Sequence, residues 1–305
     1  MSAPIDPKDK RHPNIALNCK PKIDRPLWIE GTLLPEDAGG VAIVGTRKPT
    51  LYGIKLAKMA AETAVKAGKC VVSGLARGID TEAHRSALNC GGRTISVLGS
   101  GIDLIYPEEN IGLAEEITQN GAVISQFEPK TPPLPRNFPI RNEVVASLSS
   151  ALVLIQASAK SGSLITSRLA LEMGKQVFVC VSRIDDETFE GNFNFLKKYR
   201  HERNLNILYD FDDLHKFLKK GTYCGEVQMP LFEQTFAKSA GSDKLSGREK
   251  AVFDLIAENG EGISFDDISL QTEIGVSQLP SILLSLVLDG LVSEHPGKIY
   301  KLNGD

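Results

Sequence analysis

Between residues 41 and 181, short runs that are apolar almost throughout alternate with stretches of helical period, and few folds accommodate that pattern. The runs are "VAIVG" (41–45), "CVVSG" (70–74), "TISVLG" (94–99), "AVISQ" (122–126), "ALVLIQA" (151–157) and "QVFVCV" (176–181). A strand that shows water neither face must be covered on both, which is the condition of a parallel sheet. Between the runs lie "LYGIKLAKMAAETAVKAG" (51–68), "DTEAHRSAL" (80–88), "NIGLAEEITQNG" (110–121) and "LITSRLALEMG" (164–174), whose apolar spacing is helical. Strand–helix alternation predicts an α/β fold, a mostly parallel sheet with helices on both faces.

The chain of 305 residues leaves room for a small second domain. Around 219–244 the periodicity fades into glycine and polar residues, the mark of a linker. Beyond it "SGREKAVFDLIAENG", "SFDDISLQTEI" and "SQLPSILLSLVLDG" read as three helices, and "LVSEHPGKIYKL" alternates like a hairpin. Three helices and a hairpin predict a winged helix. The expected division is an N-terminal extension (1–26), an α/β domain (27–220), a linker (221–244) and a winged-helix domain (245–305).

Net charge is −3, which by itself argues against nucleic acid, but its distribution is uneven. From residue 241 onward eleven acids face five bases, so the tail carries −6 and the remainder +3. The two parts are expected to meet different partners. The segment 277–290, in the place of a recognition helix, has no lysine or arginine, which predicts a protein contact rather than DNA there. The five cysteines form no CxxC pair, no run reaches membrane-spanning length, and the first residues lack a signal-peptide core. The expectation is a cytoplasmic protein with no metal, no cofactor and no membrane partner.

In an open parallel sheet, ligands sit beyond the carboxyl ends of the strands, near helix N-termini. Three loops fall there: "VGTRKPT" after the run at 41–45, "SGLARGID" after 70–74, and "ASAKSGSLIT" after 151–157. Each joins small residues to a base. Gly45 and Thr46 precede Arg47; Ser73, Gly74 and Gly78 surround Arg77; Ser161, Gly162, Ser163 and Thr166 follow Lys160. One such loop signals no more than a tight turn. Three in one sheet, each with a base beside a helix N-terminus, point to a phosphate site. None is a P-loop or a GxGxxG fingerprint. The proline-rich stretch "PKTPPLPRNFPIRNEVV" (129–145), read as a loop, adds Phe138, Arg141 and Asn142. An aromatic ring among arginines suits single-stranded nucleic acid, where bases stack and phosphates pair; the loop alone fits equally a core Phe138 with solvated arginines.

Taken together, "VAIVGTRKPTLYG", "VVSGLARGIDTEAH", "GGRTISVLGSGIDLIYPEEN", "FPIRN" and "SGSLITSRLALEMGKQVF" resemble the DprA (Smf) DNA-processing proteins over about residues 27–181. The resemblance implies an extended Rossmann-like domain that binds single-stranded DNA without hydrolysing it. It also implies a homodimer that protects strands and loads a RecA-type recombinase during natural transformation. On matching positions it implies a phosphate pocket of Gly45, Thr46, Arg47, Ser73, Gly74, Arg77, Ser161, Gly162 and Thr166, with Phe138, Arg141 and Asn142 in the family's "FPxRN". The C-terminal winged helix is similar to that of many members, whereas the roughly forty leading residues are too few for the helical domain that some carry. Departures stand at Gln126 and Gln156 for the usual acids, at Glu143 for a common base, at "VSRIDD" for Pro-Gly, and at "GNFNFLKKYRHERN". They keep open a DprA-like antitoxin or partner of a toxin in phage defence, and a nucleotide-sensing module.

Catalysis is not expected. Nucleotide phosphoribohydrolases that share such a sheet use "PGGxGTxxE"; here the glutamate's position is Leu169. Asp80 and His84, four apart on a helix, could pair on one face, a pattern more often structural than catalytic.

Overall fold

The computed structural model describes residues 3–220, 245, 247–259, 262–272, 274–275, 278–289, 291–295 and 298–302. The expected linker, 221–244, lies outside them. The chain divides into two units, Met1–Gly225 and Glu226–Asp305.

The first unit is an eight-stranded sheet. Its strands are β1 (Trp28–Gly31), β2 (Gly40–Val44), β3 (Val71–Ser73), β4 (Thr94–Val97), β5 (Gly121–Ser125), β6 (Ser149–Leu154), β7 (Gln176–Cys180) and β8 (Leu205–Leu208). They lie in the order β1-β5-β4-β3-β2-β6-β7-β8. Only β1 runs against its neighbour, pairing Trp28 with Ser125 and Gly31 with Ala122. Helices α2 (Leu51–Lys66), α3 (Ile79–Asn89), α4 (Ile111–Gln119), α6 (Ser163–Glu172), α7 (Glu190–Tyr199) and α8 (Phe211–Lys220) connect or follow the strands.

The unbroken apolar runs have the physical reason anticipated for them. In β2, Val41 and Ile43 join the core formed with Leu56, Ala60, Ile79, Ala83 and Phe217. Ala42 and Val44, pointing the other way, join Val144, Leu148, Ala170 and Phe195. Both faces of each central strand are thus dry.

Two expectations need correction. The first concerns residues 1–26, set apart as an extension: from residue 3 onward they are part of this unit. Ile5 and Leu27 exchange backbone hydrogen bonds of 2.7 and 3.0 Å. Leu17, Cys19 and Ile23 are buried in the main core. A short helix α1 (Pro13–Ala16) is clamped by Asn14, whose side chain donates to Ile23 O at 2.9 Å and accepts from Ile23 N at 2.8 Å. The second concerns 129–145, which is not loop throughout. Helix α5 (Asn137–Leu148) takes its second half. Pro139 is tolerated because it sits in the first turn, where a backbone N–H has no helical partner to lose.

The second unit holds α9 (Gly247–Glu258), β9 (Ile263–Ser264), α10 (Phe265–Gln271), α11 (Leu279–Leu288), β10 (Val292–His295) and β11 (Ile299–Leu302), with strand order β10-β11-β9. Ser264 caps α10, its hydroxyl accepting from Asp267 N at 3.1 Å. Leu283 and Leu286 of α11 pack on Val252, Ile256, Ile268 and Tyr300, the core of a winged helix. Among the described residues, no helix is long and apolar enough to cross a membrane.

Candidate functional site

After β2 the chain adds β3, β4 and β5 on one side; it then returns to lay β6 on the other side of β2. The loops that follow β2 and β6 therefore leave the sheet side by side and turn in opposite directions. A crevice opens at such a switch point. Here it is a cavity of about 650 Å³, lined by Gly45–Lys48 from one loop, by Gln156, Ser158, Lys160–Ser163 and Thr166 from the other, and also by Gly74, Asp80, Arg141 and Asn142, with Phe138 at its edge.

The β2 loop is built for close approach. Thr46 N donates to Gln156 O at 2.7 Å, tying the two loops together. A Cβ on Gly45 would meet Ile79 at 2.6 Å, so the backbone can run there only without one. Arg47 and Lys48 are exposed at the rim. The Arg47 guanidinium lies 5.1 Å from the centre of the half-buried Phe138 ring. The β6 loop brings exposed Lys160 and Gly162, then Ser163 and Thr166 at the start of α6, where the helix N-terminus adds partial positive charge. Ser161 and Ser163 hydroxyls lie 2.8 Å apart. Gln156 is buried beneath them. Its Oε1 accepts from Thr50 N at 3.0 Å and from the Thr50 hydroxyl at 3.3 Å, and that hydroxyl caps α2 by accepting from Gly53 N.

The "SGLARGID" loop differs from the expectation. Two of its amides already have an anion: Asp80 accepts from Gly74 N at 3.2 Å and from Ala76 N at 3.4 Å. Ser73 is fully buried and donates to Ile43 O at 2.6 Å, pinning β3 to β2, and does not line the cavity. Gly78 also stands behind the lining. Its φ of +78° and the Thr46 carbonyl 2.5 Å from a would-be Cβ give the glycine a conformational role. Arg77 projects away from the cavity into an ion pair with Glu109.

Arg141 and Asn142 do line the cavity, but Arg141 is not a free cation. It is buried, and its Nη1 donates to the carbonyls of Gly74 and Val97 at the ends of β3 and β4. A Cβ on Gly74 would collide with that guanidinium. Burial pulls the Arg141 pKa down to about 10 against the attraction of Asp80. Burial likewise raises the Asp80 carboxyl, outweighing Arg141 and the two amides. Asp80 and His84 do not pair. His84 Nδ1 lies 2.7 Å from the Thr94 hydroxyl, and because that hydroxyl donates to Val71 O, His84 must be the donor. Burial depresses the His84 pKa to about 3, so the ring is neutral.

Glu187 and Thr188, from the loop after β7, complete the lining and were not foreseen. Asp186 shapes that loop, accepting from Thr188 N at 3.0 Å and from the Ser182 hydroxyl at 2.7 Å. The only sign in the sequence was the acidic "VSRIDD". The "GNFNFL" echo also acquires a role: Asn192 donates to Ile155 O and Cys180 O, bracing the ends of β6 and β7. Among the described residues, no three His, Cys, Asp or Glu side chains converge to hold a metal ion.

Residues 4–215 match the family model of DNA recombination-mediator protein A, and residues 236–298 match the DprA winged helix domain. Protein Smf of Synechocystis is 33% identical over 86% of this chain and 70% of its own length. DNA processing protein DprA of Bacillus subtilis is 37% identical over 52% of this chain and 53% of its own length, so the match spans about half of that relative. Among solved structures, DNA processing protein A of Helicobacter pylori, described for its single-stranded DNA binding mode, superposes with a TM-score of 0.60 at 31% identity, covering 68% of this chain and 92% of that one. The Streptococcus pneumoniae protein gives a TM-score of 0.57 at 34% identity over 62% of this chain and 64% of its own. A family match running through the whole sheet, followed by the matching winged helix, establishes that this chain belongs to the DprA (Smf) family of DNA-processing proteins.

Proposed function

We propose that the crevice between the β2 and β6 loops binds single-stranded DNA, and that the chain holds such strands without cleaving them, protecting them or passing them to a RecA-type recombinase. The observation that carries this reading is the convergence of Arg47, Lys48 and Lys160 at the rim of a cavity with an aromatic ring, Phe138, at its edge. Phosphates would meet the three bases and the α6 N-terminus, and a base would stack beside Arg47 on Phe138. Buried Asp80 and His84 are committed to backbone amides and to Thr94, which supports binding rather than catalysis. The likeness to the Helicobacter pylori protein supports the choice of a single strand. Self-association through the sheet domain, and a protein contact for the acidic winged helix, either with the chain's own basic domain or with a separate partner, belong to the same proposal; an antitoxin role in phage defence is its alternative.

The test is binding of labelled oligo-dT of graded length, with mononucleotides as competitors, across a salt titration. Affinity should rise with length and fall as salt rises, because neutralised phosphates release counterions. Binding of mononucleotides as tight as that of the oligomers would instead make the cavity, whose size also suits one nucleotide, the pocket of a small-molecule sensor.

A further inference from the structure

Beyond Phe138 the crevice continues into a narrow groove. Arg47, Gly74, Ala76 and Phe138 line both, and the groove adds Arg77 and Tyr106. Tyr106 is 39% exposed, and its ring stands edge-on to Phe138 with centroids 6.1 Å apart. Two aromatic rings are therefore flanked by Arg47 on the side of the main cavity and Arg77 on the other. Arg77 is occupied. Its Nε donates to one Glu109 oxygen at 3.0 Å and its Nη2 to the other at 2.8 Å. That two-pronged fork is the geometry in which a guanidinium also takes phosphate.

The carboxylate is held in position rather than left to wander. Glu109 sits in a 3₁₀ turn, Glu108–Asn110, whose Asn110 is buried and donates to Leu75 O at 2.9 Å and to the Thr81 hydroxyl at 2.8 Å. The turn is thus fastened to the loop that carries Arg77 and to the first turn of α3 that follows it. The ion pair itself is open to water, with both side chains a little over half exposed. Exposed pairs contribute little, so an incoming phosphate can displace this one.

Resting on the single-strand reading above, we propose that Arg77, Tyr106 and Phe138 form a second nucleotide subsite next to the main crevice, and that Glu109 occupies Arg77 as a phosphate mimic until DNA displaces it. The subsite takes the phosphate and base of the neighbouring nucleotide on the same strand. Glu109 thereby weakens binding of single strands long enough to reach it, while a strand confined to the crevice is indifferent to it.

The experiment measures the full chain by fluorescence anisotropy with two labelled dT ligands, a shorter one of a single nucleotide, which occupies the crevice alone, and a longer oligomer of about fifteen nucleotides. Glu109→Gln should tighten the longer oligomer about three- to fivefold, the scale of removing one exposed competing pair, and leave the shorter one unchanged. Glu108→Gln removes the same charge from the same turn without freeing Arg77, and should leave both unchanged. Arg77→Gln should weaken the longer oligomer and should cancel the gain when combined with Glu109→Gln. An equal gain from Glu108→Gln would mean general charge rather than displacement and would overturn the proposal. So would binding unaffected by Arg77→Gln and Glu109→Gln in a protein whose affinity still depends on Arg47, and in that case the crevice reading stands. If neither the wild type nor Glu109→Gln binds either ligand, the crevice reading falls and the subsite falls with it.

Discussion

Arg141→Ala removes a buried guanidinium from the lining of the crevice, near the buried Asp80 carboxyl whose charge attracts it. Arg141 and Asp80 are 5% and 7% exposed, and burial pushes both toward their neutral forms despite their mutual attraction. Deleting the guanidinium strands the Asp80 carboxylate and leaves the Gly74 and Val97 carbonyls without their donor. Loss of one partner from a buried pair costs about 3–5 kcal/mol. For a unit of this size that is a melting-point drop of roughly 6–20 °C. The chain's single tryptophan, Trp28, is buried in β1 and reports unfolding of this unit directly in a urea titration. The double variant Asp80→Asn, Arg141→Met should recover part of the loss, because removing both charges also removes the desolvation that opposes them. If Arg141→Ala unfolds like the wild type and loses only DNA affinity, the guanidinium is a DNA ligand and the account of it as a structural clamp is wrong.

Arg47, which forms no ion pair among the described residues, behaves oppositely: Arg47→Ala should lose roughly 1–3 kcal/mol of single-strand binding, the range for hydrogen bonds to charged groups, with melting unchanged by calorimetry. His84 gives a pH dependence with a definite sign. Its folded pKa of about 3 lies below the ordinary 6.5, so below pH 6.5 the unfolded chain takes up a proton that the folded one refuses. Stability should fall by about 1.4 kcal/mol per pH unit from this group as pH drops toward 3, and urea midpoints of His84→Phe should be flatter over that window. A chain ending near Lys220 should scatter light as a dimer at tens of micromolar, a concentration at which even weak pairs form; a clean monomer there counts against self-association through the sheet. Deleting 241–305, which carries −6, should leave single-strand affinity unchanged or slightly higher, since like charge opposes the encounter; a tenfold fall would place the winged helix on the DNA.

What could be read from the sequence was whatever depends on periodicity. The six apolar runs became β2 to β7 within three residues at each end, because double-sided burial leaves no polar position to blur them. The three loops landed at the carboxyl edge because topology places them there. What could not be read was which side of each loop faces the ligand. Arg47 and Arg141 are the same residue type near the same cavity, yet one is at the rim and the other is roofed over by the Gly74 backbone. That difference is decided by α5 passing under β3 and β4, a tertiary contact with no local signature. Ser73 and Gly78 were hidden for the same reason, each serving the turn rather than the crevice. The N-terminal segment was missed because Ile5, Leu17 and Ile23 reach the core one at a time, at spacings of neither helix nor strand. Asp80 did carry a local signal. An acid in the first turn of a helix, just after a glycine-rich turn, is placed to take that turn's amides. Once it takes those of Gly74 and Ala76, two of the loop's donors are already occupied from within. The anion-binding capacity of the edge then passes to the β2 and β6 loops, where the exposed bases are.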